Sequence, residues 1–348
     1  MKKVLSIALA AVMAVSMAAC GSSASGAANS ATSGKADASQ GASSQAQPTS
    51  VTVKTLNGSK ESTEIEVPYD PQRIAVLDMA ALDILDNLGV GDRVVGMPKS
   101  SQIDYLKSYN DNENIVNLGT VKEVDMEALM SCEPDVIFIG GRLADQYDEL
   151  SKIAPVVYIA TDYDIGLVQS VKNNAQNIAT IFGLEEMAQE KTSAFDARIA
   201  ALSAAAKGKT AVIGMVTSSN FNTLGNGSRC SIIGKEIGFE NLADNVDSTH
   251  GNESSFELLV SLNPDYIFVL DRDSAINTEG AQLAQEVMDN ELVAKTKAAQ
   301  EGHIVYLTPS VWYLAEGGIT AMDVMLSDLE AGVLNNTASA ATSSTSAA

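Results

Sequence analysis

The chain has 348 residues, with 44 acidic against 22 basic side chains and a net charge of −22. Such an excess of negative charge argues against nucleic acid or an anionic membrane surface as a partner. Two histidines are too few for a hydrolytic metal cluster.

The amino terminus reads as an export signal. Lys2 and Lys3 precede an apolar run, 4–19, that contains no charge. The run is too short to span a bilayer and too apolar for an exposed helix, so residues 1–19 form a signal peptide. It ends in Met17-Ala18-Ala19-Cys20-Gly21, which resembles the lipobox of bacterial lipoproteins, although position 17 there is usually Leu. That resemblance implies cleavage before Cys20 and acylation of its thiol and new amino group. Two or three acyl chains, at about 0.8 kcal/mol per buried CH₂, make a stable anchor. Gly, Ser or Ala fill 21 of the 30 positions from 21 to 50. Residues 20–50 are therefore expected to be a disordered tether with a reach of roughly 30 Å.

Residues 51–56 and 62–67 read as a β-hairpin with a turn at Asn57-Gly58. After it, buried strands are expected at 73–78, 93–97, 135–140, 156–160, 210–216, 265–270 and 303–307. Helical patterns such as 79–88, 166–182 and 282–299 lie between them. This alternation predicts an α/β fold with largely parallel sheets. Residues 184–206 contain neither Pro nor Gly and predict one long helix, either a surface helix or a rigid strut. The tail, 335–348, has the composition of the tether and is expected to be disordered.

An internal repeat favours the strut. Glu127…Pro134-Asp135…Arg142 matches Glu257…Pro264-Asp265…Arg272, with identical spacings from Glu to Pro and from Glu to Arg. Each copy predicts a helix, a Pro-Asp turn, a buried strand and an Arg just past the strand. The expected organisation is two pseudo-duplicated lobes, 51–182 and 209–334, joined by a helix at 183–208, with a ligand cleft between them. Cys132 and Cys230 fall in different lobes and are expected to be free thiols.

Over residues 51–334 the chain resembles the helix-linked (class III) substrate-binding lipoproteins of ABC importers for siderophores, haem and cobalamin. Ser248-Thr249-His250-Gly251, the run from Asn263 to Arg272, and Trp312-Tyr313-Leu314-Ala315 resemble the branch that binds ferric catecholates. The resemblance implies a monomer on the outer face of the cytoplasmic membrane, held there by its lipid anchor. Its partners would be a ferric siderophore and a FecCD-like permease with its ATPase. It implies no intrinsic cofactor, Fe³⁺ being carried as cargo.

Ligands of open α/β sheets sit beyond the carboxyl ends of the strands, where Arg142 and Arg272 fall, one per lobe. Arg229 follows the strand at 210–216 after a polar loop and is expected to open a helix. Three guanidiniums on one cleft are costly without an anion, and their forks suit planar catecholate oxygens. Each taken alone could also be a surface ion-pair partner, an alternative that the matching repeat positions weaken for Arg142 and Arg272. His250 lies in a polar loop, where a lone histidine is more often a structural hydrogen-bonding residue than a ligand. Tyr313 follows the last strand and could be a core or rim aromatic. The resemblance makes these two the direct ligands of ferric iron. A bis-catecholate would leave two of six coordination positions for them, whereas a tris-catecholate would leave none. Glu127 and Glu257 each open a helix, where the helix dipole favours a carboxylate, and the resemblance assigns them to permease docking. Haem or cobalamin is the alternative cargo. An anchored enzyme is the remoter alternative, since no nucleophile elbow, HExxH pair or P-loop is present.

Overall fold

The computed structural model describes residues 48–246, 250–253 and 256–345. The signal peptide, Cys20 and most of the expected tether lie outside the described residues.

Strands β1 (Ser50–Leu56) and β2 (Ser62–Pro68) form the expected hairpin, paired from Ser50↔Pro68 to Leu56↔Ser62. The turn is longer than Asn57-Gly58 predicted. The Asn57 carbonyl accepts from Lys60 N at 2.9 Å and its side chain from Glu61 N at 3.0 Å, and the left-handed residue is Lys60 (φ 63°).

Five strands then form a parallel sheet: β3 (Ile74–Val76), β4 (Val94–Met97), β5 (Val116–Asn117), β6 (Val136–Ile139) and β7 (Val156–Tyr158), in the order β5-β4-β3-β6-β7. A second sheet holds β8 (Thr210–Thr217), β9 (Asn220–Leu224), β10 (Glu240–Asn241), β11 (Asn252–Glu253), β12 (Tyr266–Asp271) and β13 (Ile304–Leu307). Its order is β11-β9-β8-β12-β13, with β10 beside the first residues of β8. Every residue of β6 and β12 is buried, as strands covered on both faces must be. All seven expected strands are present. The second sheet is mixed, because β9 returns antiparallel to β8 through Ser218 and Ser219, both with positive φ (50° and 61°). That is the twist a two-residue hairpin needs, made here without the Asn-Gly or Asp-Gly that would have signalled it.

The repeat has a structural basis. Asp135 Oδ2 accepts from Gln72 N and Arg73 N at 2.8 and 2.9 Å, just ahead of β3. Asp265 Oδ2 accepts from Thr210 N at 2.9 Å and from its hydroxyl at 3.1 Å, at the start of β8. In each lobe the Pro-Asp turn thus pins the central neighbouring strand, and the residue before the Pro is left-handed, with φ 44° at both Glu133 and Asn263. Asp265 also receives Lys297 Nζ at 2.5 Å. Burial would raise its carboxyl pKa, but the Lys297 and Thr210 hydrogen bonds outweigh that and hold it below the ordinary aspartate value. A depressed carboxylate pKa stabilises the fold above the unfolded value and is lost as pH falls through the folded one. Asp265→Asn is therefore expected to destabilise the chain by about 1–2 kcal/mol at neutral pH. Thermal melts should show the gap to wild type closing below about pH 4; a gap constant with pH would assign the loss to geometry instead.

The long helix is two helices. Leu167–Phe182 ends on left-handed Gly183, and Glu185–Thr192 and Phe195–Ala206 follow, separated at Ser193 and Ala194. The Thr192 hydroxyl bonds to Ala188 O and the Ser193 hydroxyl to Glu190 O, and such back-bonding loosens the helical ladder. The helix expected at 282–299 is likewise replaced by Ala284–Met288, a 3₁₀ turn at Val293–Lys295, and Lys297–Gln300. Asn290 Oδ1 takes the N–H groups of Leu292 and Val293, and Thr296 Oγ1 takes that of Ala299, so each restarts the chain as a cap.

The final helix, Ile319–Thr345, runs into the segment expected to be disordered; no Gly or Pro follows Gly332 to stop it. It also joins the lobes. Buried Asp83, from helix Met79–Asn87, accepts from Thr320 N at 2.9 Å and Ala321 N at 2.8 Å at its start. Arg198, from the connector, bonds to Asp323 and reaches Glu330 at 2.7 Å. Cys132 and Cys230 are buried free thiols. Among the described residues no helix is long and apolar enough to cross a membrane.

Candidate functional site

A cleft of about 540 Å³ lies beyond the carboxyl ends of β6 and β7 on one side and the second sheet on the other. Tyr313 stands at its centre. It rides on helix Pro309–Leu314, which starts with Pro at its first position after β13. Asp328 of the final helix fixes that segment by accepting from Thr308 N, the Thr308 hydroxyl and Trp312 Nε1 at 2.7, 3.0 and 2.8 Å. Tyr313 is therefore held from behind by partly buried polar bonds, and only 6% of it is exposed.

The three expected arginines converge on this one side chain. The Cζ atoms of Arg229, Arg272 and Arg142 lie 4.4, 5.8 and 5.9 Å from its ring centroid. Arg229 Nη1 donates to Trp312 O at 2.8 Å and Tyr313 O at 3.0 Å, and Arg142 Nη2 to Tyr313 O at 3.3 Å. Arg272 Nε donates to the phenol oxygen at 3.2 Å. Arg142 is the second residue of the 3₁₀ turn after β6, and Arg272 is the first residue of the short helix after β12, so the repeat carries both to matching strand ends. Arg272 meets Tyr313 without lining the cavity. Arg229 does not open a helix: β9 intervenes, and helix Ile232–Lys235 begins three residues later.

His250 lies at an exposed turn that reaches the cleft, its Nε2 3.5 Å from the Tyr313 hydroxyl. Loss of solvent, then the charges of Arg229, Arg272, Lys122 and Arg142, hold its pKa below the ordinary histidine value. The imidazole is thus kept neutral, with a lone pair to give. A phenol oxygen and an imidazole nitrogen side by side can complete the shell of a hard trivalent metal that brings its own oxygen ligands. Among the described residues no group of three or more His, Cys, Asp and Glu could hold a metal ion.

Sequence reasoning missed both carboxylates of the cleft, Glu316 and Asp78. Glu316 follows Tyr313 by three residues. Its side chain is 5% exposed, accepts from Tyr163 Oη at 2.7 Å and Cys230 N at 3.2 Å, and lies 3.8 Å from Arg229 Nη1. Burial holds its pKa above the ordinary glutamate value, and Arg229 and the Tyr163 and Cys230 bonds offset that only in part. Asp78, which caps helix Met79–Asn87 through Ala80 N and Ala81 N, lines the opposite wall with Lys60 and Lys122. No local pattern marked any of these residues.

Glu127 and Glu257 do not line the cleft. Both are exposed in the first turns of helices Met126–Ser131 and Phe256–Leu262. Exposed Met130 and Leu258 lie on the same two helices.

Comparison with known proteins places this geometry in context. The model of the family described as periplasmic binding protein matches residues 74–311. The petrobactin-binding protein YclQ of Bacillus subtilis is 32% identical over 298 residues, covering 85% of this chain and 93% of its own. Its crystal structure superimposes with a TM-score of 0.75, covering 82% of this chain and 98% of that one at 31% identity. The ferric-anguibactin-binding protein FatB of Vibrio anguillarum is 29% identical over 269 residues, covering 75% of this chain and 82% of its own. The periplasmic catecholate-siderophore binding protein VctP of Vibrio cholerae has a TM-score of 0.74 at 31% identity, covering 81% of this chain and all of that one.

Proposed function

The chain belongs to the periplasmic binding protein family, and from that premise we propose that it captures a ferric catecholate siderophore for delivery to an ABC permease. The convergence of Arg142, Arg229 and Arg272 on Tyr313, with His250 Nε2 3.5 Å from the phenol oxygen, carries this reading. The guanidiniums supply the charge an anionic complex needs, in an otherwise strongly acidic protein. Tyr313 and His250 supply two donors, which favours a tetradentate bis-catecholate with two coordination positions open. YclQ and VctP, named for petrobactin and for catecholate siderophores, support the ligand class.

The remaining roles extend this proposal. Glu127 and Glu257 occupy equivalent exposed helix starts outside the cleft, and they face the two halves of a FecCD-like permease that works with its ATPase. Lipidated Cys20 holds the monomer at the outer face of the cytoplasmic membrane, with residues up to 50 as tether. The lobes are 51–182 and 209–334, joined through 183–208.

The test is a titration of the purified chain with ferric mono-, bis- and tris-catecholates and, separately, hemin. Trp312, the only tryptophan and fully buried beside Tyr313, reports by quenching. The expected result is saturable quenching with a catecholate-to-iron charge-transfer band for the bis-catecholate. A Soret shift with hemin and no response to any ferric catecholate would replace the siderophore by haem.

A further inference from the structure

Glu316 is unexpected in a cleft for anions. Its carboxylate is buried among Tyr163 Oη, Cys230 N and Arg229 Nη1, and it lines the same cavity as Arg142, Arg229, Lys122 and His250. Arg229 is itself only 13% exposed, and its Nε finds no hydrogen-bond partner among the described residues. In the empty cleft the negative charge of Glu316 offsets that guanidinium, which would otherwise sit desolvated beside Arg142 and Arg272. In the filled cleft the same charge repels the ligand, and the repulsion grows with each unit of ligand charge.

We propose that Glu316 is a specificity-determining residue that limits the negative charge of the complexes the cleft accepts. This rests on the siderophore reading above. A ferric bis-catecholate carries one negative charge and a ferric tris-catecholate three. A fixed buried carboxylate therefore penalises the second about three times as strongly as the first. Selection by charge complements selection by open coordination positions at Tyr313 and His250, and both favour the less charged complex. Glu316 also accepts from Tyr163, which belongs to the segment after β7, so the charge is held at one place in the cleft by groups from both lobes.

The test compares wild type, Glu316→Gln and Glu316→Asp with the ferric complexes of a synthetic bis-catecholamide and a synthetic tris-catecholamide. Gln keeps the acceptor for Cys230 and can donate to Tyr163 Oη, so the pocket stays formed without the charge. Glu316→Gln is expected to tighten tris-catecholate binding about tenfold or more and bis-catecholate binding by less than about threefold. Glu316→Asp disturbs the Tyr163 bond but retains the charge, so its tris-to-bis ratio should remain that of wild type. An unchanged ratio in the Gln variant, or the same ratio change in both variants, would refute a charge filter and leave a packing role. Wild type binding neither complex would defeat the siderophore reading, and this inference with it.

Discussion

Tyr313→Phe combined with His250→Leu is expected to weaken binding of a ferric bis-catecholate about a hundredfold, ~2.7 kcal/mol. Binding of a ferric tris-catecholate should change only a few-fold. Phe keeps the ring against which Arg229 stacks at 4.4 Å, so the arginine framework and the packing behind it survive. What is lost is the pair of donors 3.5 Å apart. A complex with two open iron positions needs them, and a coordinatively saturated one does not. Absorbance should register the same event, since the phenolate contribution to the charge-transfer band disappears. If the double variant binds the bis-catecholate as tightly as wild type, direct ligation is wrong and the arginines alone hold the ligand.

The second large effect belongs to Arg229. Its guanidinium touches the Trp312 and Tyr313 carbonyls and faces Glu316 at 3.8 Å. Arg229→Ala should weaken binding of every ferric catecholate by about a hundredfold, through loss of a desolvated charge at the centre of the site. It should also destabilise the fold by about 2 kcal/mol, because Glu316 is left buried without its cation. The two losses are separable. Adding Glu316→Gln to Arg229→Ala should restore most of the melting temperature and little of the affinity. Recovery of both would mean that Arg229 only shields Glu316 and makes no contribution to the ligand. Loss of stability without loss of affinity would remove Arg229 from the site.

Local rules made the architecture readable. Strands buried on both faces announce themselves as unbroken apolar runs, so the seven strands expected after the hairpin could be placed. The Pro-Asp units were readable because the same turn recurs with the same job: Asp135 and Asp265 each pin a neighbouring strand through backbone N–H groups. Arg142 and Arg272 inherit matching positions from that duplication. The short strands β5, β9, β10 and β11 left no such trace. β5, β10 and β11 are two residues long and pair with strands distant in the chain, and β9 turns back on β8 without an Asn-Gly or Asp-Gly signal. The breaks at Ser193 and Asn290 were lost for a related reason. Side-chain bonds to the local backbone decided them, against a periodicity that favoured continuous helix.

By itself the sequence determined the class of the fold, its duplication, and a list of cationic and metal-donating side chains able to serve an anionic iron complex. Residue type and spacing suffice for these, because strand burial, helix periodicity and side-chain chemistry act over a few neighbours. Only the tertiary structure decided that three arginines from separate loops converge on one phenol ring, and that His250 reaches its oxygen. It alone placed Glu316, Tyr163 and Arg229 in one buried cluster, and set Asp83 as the cap of a helix 237 residues away in the chain. Those arrangements depend on how two sheets are turned towards each other, and no local pattern carries that angle.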